Sequence, residues 1–318
     1  MREIDRRSYD VTVGLVVRNI SEIEYETVES IMDQKYPHSR IELVLVLSKI
    51  EPGADKIRKL LSEVNITTEI FCDSGAGLAT ARQIVVEKAK GEFIVWVDSD
   101  VILSRDFLRK QLDFMMRHVS IGVCIGLYDD KEFEGGLVAT VSGLHFGLFR
   151  GVYFGATITR TAALREVDGF DRRIRGASED VDIIMRLVSN DWGVAFNDDA
   201  KFYRVFKERI QDVLRRGMWY GRGGHFLNSK YDSLSNIPQR LPPTYFLLGL
   251  KLSKQAYSKH HTWKSFLIPL ITSIQSIGWS LGFIAAHFAG YGHEILKHEV
   301  GKRETRKMVR RVSMMFSH

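Results

Sequence analysis

The first hundred residues alternate apolar runs of strand length with segments of helical character. Four runs are rich in Val, Ile, Leu and Phe: DVTVGLVV, IELVLVLS, TTEIFC and FIVWVDSD. Between the first two, SEIEYETVESIMDQKYP starts with Ser21 and Glu24 in capping-box spacing and ends at Pro37, which predicts a helix. Another helix is predicted from Ala79 to Ala89. This order predicts an α/β fold with a mostly parallel central sheet and flanking helices.

Two acidic residues, Asp98 and Asp100, stand where the fourth apolar run ends. In open parallel sheets, ligands bind beyond the carboxyl ends of the strands. Two carboxylates at that edge can share one hard divalent cation such as Mg²⁺ or Mn²⁺. A solvated turn with a helix N-cap explains most isolated DSD tripeptides, so only the order of the surrounding elements favours a metal site here.

A second acidic cluster lies in GASEDVDIIMRL, where Gly176 and Ser178 precede a predicted helix. Glu179 and Asp180 fall in the first turn of this helix, where the helix dipole and the free N–H groups stabilise carboxylates. Asp182 follows two residues later. The cluster fits either ordinary helix capping or a catalytic carboxylate.

Composition narrows the class of protein. The chain has 318 residues, a net charge of +6 and two cysteines, Cys72 and Cys124, which suit a reducing compartment and exclude a disulfide framework. The N-terminal MREIDRRSYD has no apolar core of a secretory signal. The tail KHEVGKRETRKMVRR is strongly basic, but no aromatic–basic interleaving accompanies it, so we expect no nucleic-acid partner.

The C-terminal part predicts contact with a membrane. Residues 265–293 contain no Asp, Glu, Lys or Arg and are long enough to cross a bilayer, although a buried core helix is the alternative. A single crossing would place the basic tail opposite the catalytic domain, against the positive-inside tendency. An interfacial helix at residues 244–257, followed by a hairpin or a shallow insertion, agrees better with the charges. We therefore expect a catalytic domain over residues 1–240 and a helical, membrane-associated segment with a basic tail over residues 241–318.

Several motifs occur in an order that resembles one enzyme family. They are VVRN, SIMDQKYP, GLATARQIVVEKAKGEFIVWVDSD, GATITRTAALREVDGFD and SEDVDIIMRL. In this order, from Val11 to Gly224, the sequence is similar to the inverting family-two glycosyltransferases. The resemblance implies a glycosyltransferase-A fold with Mn²⁺ or Mg²⁺ as cofactor. It also implies sugar transfer from a UDP- or GDP-sugar to a lipid-linked or saccharide acceptor. The expectation that the catalytic domain is attached to the cytoplasmic side of a membrane depends on the C-terminal segment alone.

The resemblance also implies roles for particular residues. Asp98 would contact the nucleotide ribose or the metal, and Asp100 would be the principal metal ligand. Asp180 would be the general base, and Glu179 would orient Asp180 or an acceptor hydroxyl. The residues expected to bind the donor are Arg18, Arg82, Asp98, Arg216 and Trp219.

The sequence departs from the family pattern at several positions. Ser48 and Lys49 stand where many relatives have an acidic residue that recognises the base, so the nucleotide stays open. Gln83 replaces a usual Asn, and Tyr203 and Arg204 stand where relatives often have a metal-binding histidine. Metal binding is therefore expected to be weaker, or to require the bound nucleotide-sugar.

An aromatic, Gly-rich stretch lies between the two acidic clusters. Phe146, Phe149, Tyr153 and Phe154 fit either the hydrophobic core or an acceptor groove.

Two other functions fit parts of the pattern. A nucleotidyltransferase would also use an acidic metal site, but VVRNISEIE lacks the Gly-rich basic loop expected after its first strand. A non-catalytic membrane scaffold of this fold is disfavoured because Asp98, Asp100 and Asp180 are all present.

Overall fold

The four apolar runs form strands, as the sequence predicts. The computed structural model describes residues 9–18, 22–49, 54–130, 135–148, 151, 153–231, 240–293, 295 and 299–315. The strands are β1 Val11–Val17, β2 Ile41–Leu47, β3 Thr67–Cys72, β4 Phe93–Asp98, β5 Val101–Leu103, β6 Ile121–Tyr128, β7 Ala156–Arg160 and β8 Gly193–Arg204. Ser21, the predicted helix cap, lies outside the described residues.

Helices separate these strands and make up the C-terminal part. They are α1 Glu22–Met32, α2 Ala54–Ser62, α3 Leu78–Lys88, α4 Phe107–Arg117, α5 Leu137–Phe146, α6 Thr161–Glu166, α7 Glu179–Ser189, α8 Ile210–Lys230, α9 Pro242–His260, α10 Ile268–Phe288 and α11 Lys302–Met315. The predicted helices at α1, α3 and α7 are confirmed, as is a helix in the charge-free segment, α10.

The chain divides into two units. The first unit comprises Met1–Tyr128, Val152–Arg172 and Ile183–Arg204; the second comprises Asp129–Gly151, Arg173–Asp182 and Val205–His318. The predicted catalytic range therefore includes parts of both units, and the boundary at residue 240 stays a prediction.

The first unit contains the whole sheet, whose strands lie in the order β3-β2-β1-β4-β7-β6-β8-β5. The four strands that the sequence predicts run parallel to one another, and β6 runs parallel to β8. β7 is antiparallel to both β4 and β6, and β5 is antiparallel to β8. The sheet is therefore mixed, with its parallel half at the N-terminal side of the sequence.

Burial explains the composition of the parallel strands. Every residue of β2 is buried, and β1 and β4 are buried at all but one position each. Strands covered on both faces need apolar residues at successive positions, not alternate ones. The outermost strand β3 is half-exposed and correspondingly more polar.

In the second unit, helices α8 and α10 pack through glycines spaced four residues apart. Gly217 and Gly221 of α8 lie against Gly278 and Gly282 of α10. A side chain at Gly221 would collide with the carbonyl oxygen of Trp279. The glycines therefore allow the two backbones to approach closely, as small residues do in membrane helix pairs.

An apolar cluster joins the helices of this unit. Its buried members are Val141, Leu144, Val213, Leu252, Ala256, Ile268 and Ile271, from α5, α8, α9 and α10. Among the residues that the structure describes, one stretch, Trp263–Phe288, is long and apolar enough to cross a membrane, and 44% of an apolar 18-residue window within it is buried in the protein.

Candidate functional site

The carboxyl ends of the parallel strands bring three predicted site residues to one edge of the sheet. Asp98 ends β4 and lies opposite Val16 of β1, so Arg18 follows on the adjacent strand. The Ser48 hydroxyl, after β2, donates a hydrogen bond to the carbonyl oxygen of Arg18 at 2.7 Å. Asp100 follows Asp98 in the same turn, whose central carbonyl, on Ser99, accepts a hydrogen bond from the Thr27 hydroxyl at 2.9 Å.

Asp98 forms an ion pair with the buried Arg82. Its guanidinium donates to Oδ1 of Asp98 at 2.9 Å, and the Arg82 side chain is only 3% exposed. The rings of Trp96, Phe154 and Phe170 lie 5.4 to 6.0 Å from the guanidinium carbon. This aromatic cage fixes the arginine by packing and cation–π attraction, so Asp98 is held in one place.

Gln83, beside Arg82, has a structural contact: its side-chain oxygen accepts a hydrogen bond from the backbone N–H of Phe170 at 2.7 Å. The same contact positions one ring of the aromatic cage.

Asp100 is paired with Arg204, the residue that stands where relatives often have histidine. The pair forms because β5 and β8 are antiparallel with Val101 opposite Arg204, and Nε of Arg204 lies 2.8 Å from Oδ2 of Asp100. Desolvation raises the pKa of Asp100, the Arg204 guanidinium opposes that shift, and the neighbouring Asp98 adds to it.

Tyr153 and Gly155 complete this cluster. The Tyr153 ring stacks on Phe202 with centroids 5.7 Å apart, and the Arg204 guanidinium lies 5.4 Å from its centre. Burial raises the pKa of the Tyr153 hydroxyl well above its usual value. A side chain at Gly155 would collide with the Tyr153 hydroxyl and come within 2.5 Å of Oδ2 of Asp98. Glycine there keeps the space beside the carboxylate open.

These residues fit a hard divalent cation. Two carboxylates stand two positions apart at a strand end, and oxygen is the ligand atom that Mg²⁺ and Mn²⁺ prefer. Burial raises the pKa of Asp100 because it disfavours the ionised carboxylate, and a bound cation would favour that form again. Asp98 and Asp100 are therefore the residues that would hold the metal.

A further acidic residue at the same edge, Asp73, has a different role. Its two carboxylate oxygens accept the backbone N–H groups of Gly75 and Gly77 at 3.0 and 3.2 Å. Asp73 therefore shapes the turn between β3 and α3.

The second acidic cluster begins helix α7. Glu179 is buried at 3% exposure, and Asp180 is half-buried, with Oδ1 accepting the backbone N–H of Val181 at 2.8 Å. Both carboxylates lie in the first turn, where the helix dipole favours negative charge. Asp180 thus combines partial exposure with a fixed orientation.

Asp182, in the same turn, has a structural role. It is completely buried, and its Oδ1 lies 2.8 Å from Nζ of Lys230 and accepts a hydrogen bond from the Tyr231 hydroxyl at 2.8 Å. These contacts join the start of α7 to the C-terminal end of α8.

Close backbone packing positions the segment before Asp180. Gly176 lies so near Gly223 of α8 that a Cβ on the former would be 2.5 Å from the backbone nitrogen of the latter. One residue later, the N–H of Ala177 donates to the carbonyl oxygen of Trp219 at 3.3 Å. Helix α8 is therefore the support against which the candidate base is placed.

Helix α8 also carries two predicted donor-binding residues. Arg216 forms an ion pair with Glu208 and is largely buried, whereas Trp219 is 37% exposed. The Arg216 charge is thus already balanced within the second unit, and the donor-binding role of both residues stays a prediction.

The aromatic stretch separates into different environments. Phe154 is buried against Trp96 and Phe170 in the core, and Phe146 packs against Phe206. Phe149 lies outside the described residues. The remaining aromatic residue, Tyr153, borders the carboxylates described above.

Two features of this site could not be predicted from the sequence: the ion pair of Arg204 with Asp100 and the position of Tyr153. Both depend on strands β7 and β8, which are distant in sequence from the DSD motif. The sequence signal that could have indicated the ion pair was the position of Arg204, which stands where relatives often have a metal-binding histidine.

Comparison with known proteins supports the family that these motifs indicate. The model of Glycosyl transferase family 2 matches residues 12–159, and that of Glycosyl transferase family group 2 matches residues 93–291. A Bacillus subtilis (strain 168) protein named as the teichuronic acid biosynthesis glycosyltransferase TuaG is 33% identical over 95 residues, which are 29% of this chain and 36% of that protein. An uncharacterised glycosyltransferase of Haemophilus influenzae is 30% identical over 114 residues, 36% of this chain and 44% of that protein. The chain therefore spans less than half the length of these curated relatives.

Solved structures share the fold. The mannosyltransferase PcManGT from Pyrobaculum calidifontis, in complex with GDP-Man and Mn²⁺, has a TM-score of 0.57 at 17% identity, covering 97% of this chain and 86% of that one. S. aureus TarS has a TM-score of 0.50 at 17% identity, covering 87% and 55%. These likenesses confirm the predicted glycosyltransferase-A fold. The family model over residues 93–291 covers more than half of this chain and shows that it belongs to the glycosyl transferase family group 2.

Proposed function

We propose that the protein is a metal-dependent inverting glycosyltransferase that moves a sugar from a nucleotide-sugar to a lipid-linked or saccharide acceptor. The observation that carries this proposal is the pair Asp98 and Asp100 at the carboxyl edge of the sheet, each joined to an arginine. Acidic groups that served only a turn would not need Arg82 in an aromatic cage beside them.

The donor would bind at this edge through its diphosphate and nucleoside. Asp98 and Asp100 would hold Mn²⁺ or Mg²⁺, which when bound offsets the charge that develops on the departing diphosphate. Arg18, on the adjacent strand end, supplies a further positive charge for the phosphates. PcManGT was solved with GDP-Man and TarS with UDP-GlcNAc, so both bases belong in a test panel.

Asp180 is the proposed general base. Its carboxylate accepts the proton of the acceptor hydroxyl while that oxygen attacks the anomeric carbon, and the bond from that carbon to the diphosphate oxygen breaks. The electron pair of the broken bond leaves with the nucleoside diphosphate, and the anomeric configuration inverts. The backbone N–H of Val181 donates a hydrogen bond to the Asp180 carboxylate and so limits its direction, and buried Glu179 is proposed to orient Asp180 or an acceptor hydroxyl.

Exposed apolar side chains of the second unit support membrane association. On α10 they recur at helical spacing and form one stripe: Leu270, Ile277, Leu281, Ile284 and Phe288. Helix α11 is basic, with Lys302, Arg303, Arg306, Lys307, Arg310 and Arg311. Such surfaces suit an interface with anionic lipids, which favours the cytoplasmic leaflet.

A donor panel tests the proposed function. The full-length protein is incubated with UDP- and GDP-sugars, with and without Mn²⁺, and released nucleoside diphosphate is measured. We expect release from at least one donor, dependent on Mn²⁺ or Mg²⁺ and abolished by Asp100→Ala, but unchanged by Asp33→Asn on the exposed surface. The proposal fails if no donor binds or reacts, or if Asp100→Ala behaves like the wild type.

A further inference from the structure

Three histidines of the second unit converge at the end of helices α8 and α10. They are His225 of α8, which is buried, and His287 and His293, which are exposed. One ring nitrogen from each lies within 4.8 Å of the others, and Nε2 of His225 is 3.3 Å from Nδ1 of His287. The proposed sugar transfer uses none of these residues.

The glycine contact between α8 and α10 brings two of these histidines together. On α8, His225 continues the series of Gly217 and Gly221, four residues further along. On α10, His287 lies five residues after Gly282. The close approach of the backbones at the glycines therefore places the two imidazoles opposite each other.

A tight turn adds the third histidine. Gly290 and Gly292 have φ values of 68° and 84°, in the left-handed region that glycine adopts without strain. The N–H of His293 donates to the carbonyl oxygen of Gly290 at 3.1 Å. The chain thus turns back after α10, and the centroid of the His293 ring lies 5.8 Å from that of His287 and 6.3 Å from that of His225.

The spacing agrees with coordination of one metal ion. Zinc–imidazole bonds of about 2.0–2.1 Å in a tetrahedral site put ligand nitrogens about 3.3 Å apart. The pair His225 and His287 already has this separation. The His293 nitrogen lies within 4.8 Å of the other two, and a shift of this exposed side chain towards them would complete the spacing.

We propose that His225, His287 and His293 form a transition-metal site of the zinc class, with water as the fourth ligand. Imidazole nitrogens favour Zn²⁺, Co²⁺, Ni²⁺ and Cu²⁺, whereas the oxygen ligands of Asp98 and Asp100 favour Mg²⁺ and Mn²⁺. The protein would thus hold two metals of different chemistry. Exposure of two of the three histidines leaves the fourth position open to solvent.

The ion would cross-link two parts of the second unit. It would fasten the turn after α10 to α8, and this turn leads towards the isolated bridge of Val300 to Tyr231 and the basic helix α11. A metal ion that binds the folded chain but not the unfolded chain raises the free energy of unfolding. We therefore expect Zn²⁺ to raise the melting temperature by several degrees.

Zinc titration of the metal-free, full-length protein tests the site. We expect one Zn²⁺ per chain by calorimetry, and a visible absorption spectrum of tetrahedral type with Co²⁺. His287→Asn and His293→Asn each remove a ligand on the surface. Each should weaken Zn²⁺ binding at least about tenfold, since the loss of an outer-shell partner alone costs that much. His261→Asn is the matched control, because His261 lies in the same unit in a left-handed conformation that Asn tolerates.

Two outcomes would overturn the proposal. One is the absence of Zn²⁺ binding, which would leave a direct hydrogen bond between His225 and His287 as the reason for their contact. The other is Zn²⁺ binding that survives His293→Asn and His287→Asn but disappears with Asp100→Asn, which would assign the ion to the carboxylates. Neither outcome depends on sugar transfer.

Discussion

At the scale of single residues, the two carboxylates of the DSD motif have different surroundings. Asp98 is fixed by a buried arginine within an aromatic cage, whereas Asp100 meets Arg204, which comes from a distant strand. Arg204 supplies positive charge at the carboxylate that the proposed metal ion would also bind. The arginine and the cation would therefore compete for Asp100.

Replacement of Arg204 by glutamine should strengthen metal binding to the free enzyme. A unit charge and a double charge about 5 Å apart repel by about 1.7 kcal/mol even at the dielectric constant of water, which corresponds to roughly tenfold in affinity. We expect Arg204→Gln to lower the dissociation constant for Mn²⁺ by about that factor, measured by calorimetry without donor. Arg58→Gln, in an exposed ion pair of α2, is the control of equal charge. Unchanged or weaker Mn²⁺ binding would show that Arg204 does not oppose the metal.

At the scale of elements, helix α7 places two aspartates in different surroundings. Asp180 is half-buried at the start of the helix, and Asp182 is buried in an ion pair with Lys230 of α8. Residue type does not distinguish them; their position around the helix does. The loss of either one should therefore have a different consequence.

Asp182→Asn should destabilise the protein, because it leaves the Lys230 ammonium buried beside a neutral group. Breaking a buried pair in this way costs about 3–5 kcal/mol of unfolding free energy. For Asp180→Asn we expect a smaller loss, of about 1 kcal/mol or less, because the helix dipole favours the carboxylate but an amide oxygen can still accept the Val181 N–H. Denaturant unfolding of both variants measures the difference. Equal effects on stability would contradict these assignments.

The glycines between α8 and α10 make a second prediction for elements. In Gly221→Ala, the new methyl group would collide with backbone atoms of Trp279, which cannot rotate away. We expect a loss of about 1–3 kcal/mol, seen as a lower melting temperature. Gly136→Ala, where a Cβ meets nothing within 4 Å, is the control in the same unit. A similar melting temperature for both variants would mean that the helices do not depend on this close approach.

The elements also show what the sequence could predict. Strands β1 to β4 and helices α1, α3 and α7 follow from local periodicity and turn residues, so the parallel half of the sheet and the edge with Asp98 were predictable. The other half, which contains the antiparallel pairs, depends on pairings such as Val101 with Arg204, which no local pattern encodes. For the same reason the histidines, 62 residues apart at His225 and His287, gave no signal.

At the scale of the whole molecule, the chain combines a sheet with acidic residues at its carboxyl edge and a helical unit with apolar and basic surfaces. The apolar stripe on α10 and the basic helix α11 belong to the same unit. An apolar face inserts into the acyl boundary, while basic side chains bind anionic headgroups. The two features together predict binding to anionic membranes that weakens with salt.

Vesicle flotation tests this surface in the full-length protein. We expect flotation with vesicles that contain anionic lipid, and at least a severalfold loss for the combined Leu281→Gln, Ile284→Gln and Phe288→Gln variant. The control is Met116→Gln with Val119→Gln, which removes exposed apolar side chains from the first unit. Equal flotation of both variants, or no flotation of the wild type, would refute membrane association through α10.

The central claim is that two acidic sites divide the work of sugar transfer, with Asp98 and Asp100 holding the donor and Asp180 activating the acceptor. The most direct measurement follows donor binding and product formation in Asp100→Asn and Asp180→Asn, with the donor identified by the panel. We predict that Asp100→Asn loses both metal-dependent donor binding and turnover. Asp180→Asn should keep donor affinity within about twofold and lose at least about a hundredfold in kcat. An Asp180→Asn enzyme that turns over like the wild type, or an Asp100→Asn enzyme that binds donor and metal normally, would contradict the account.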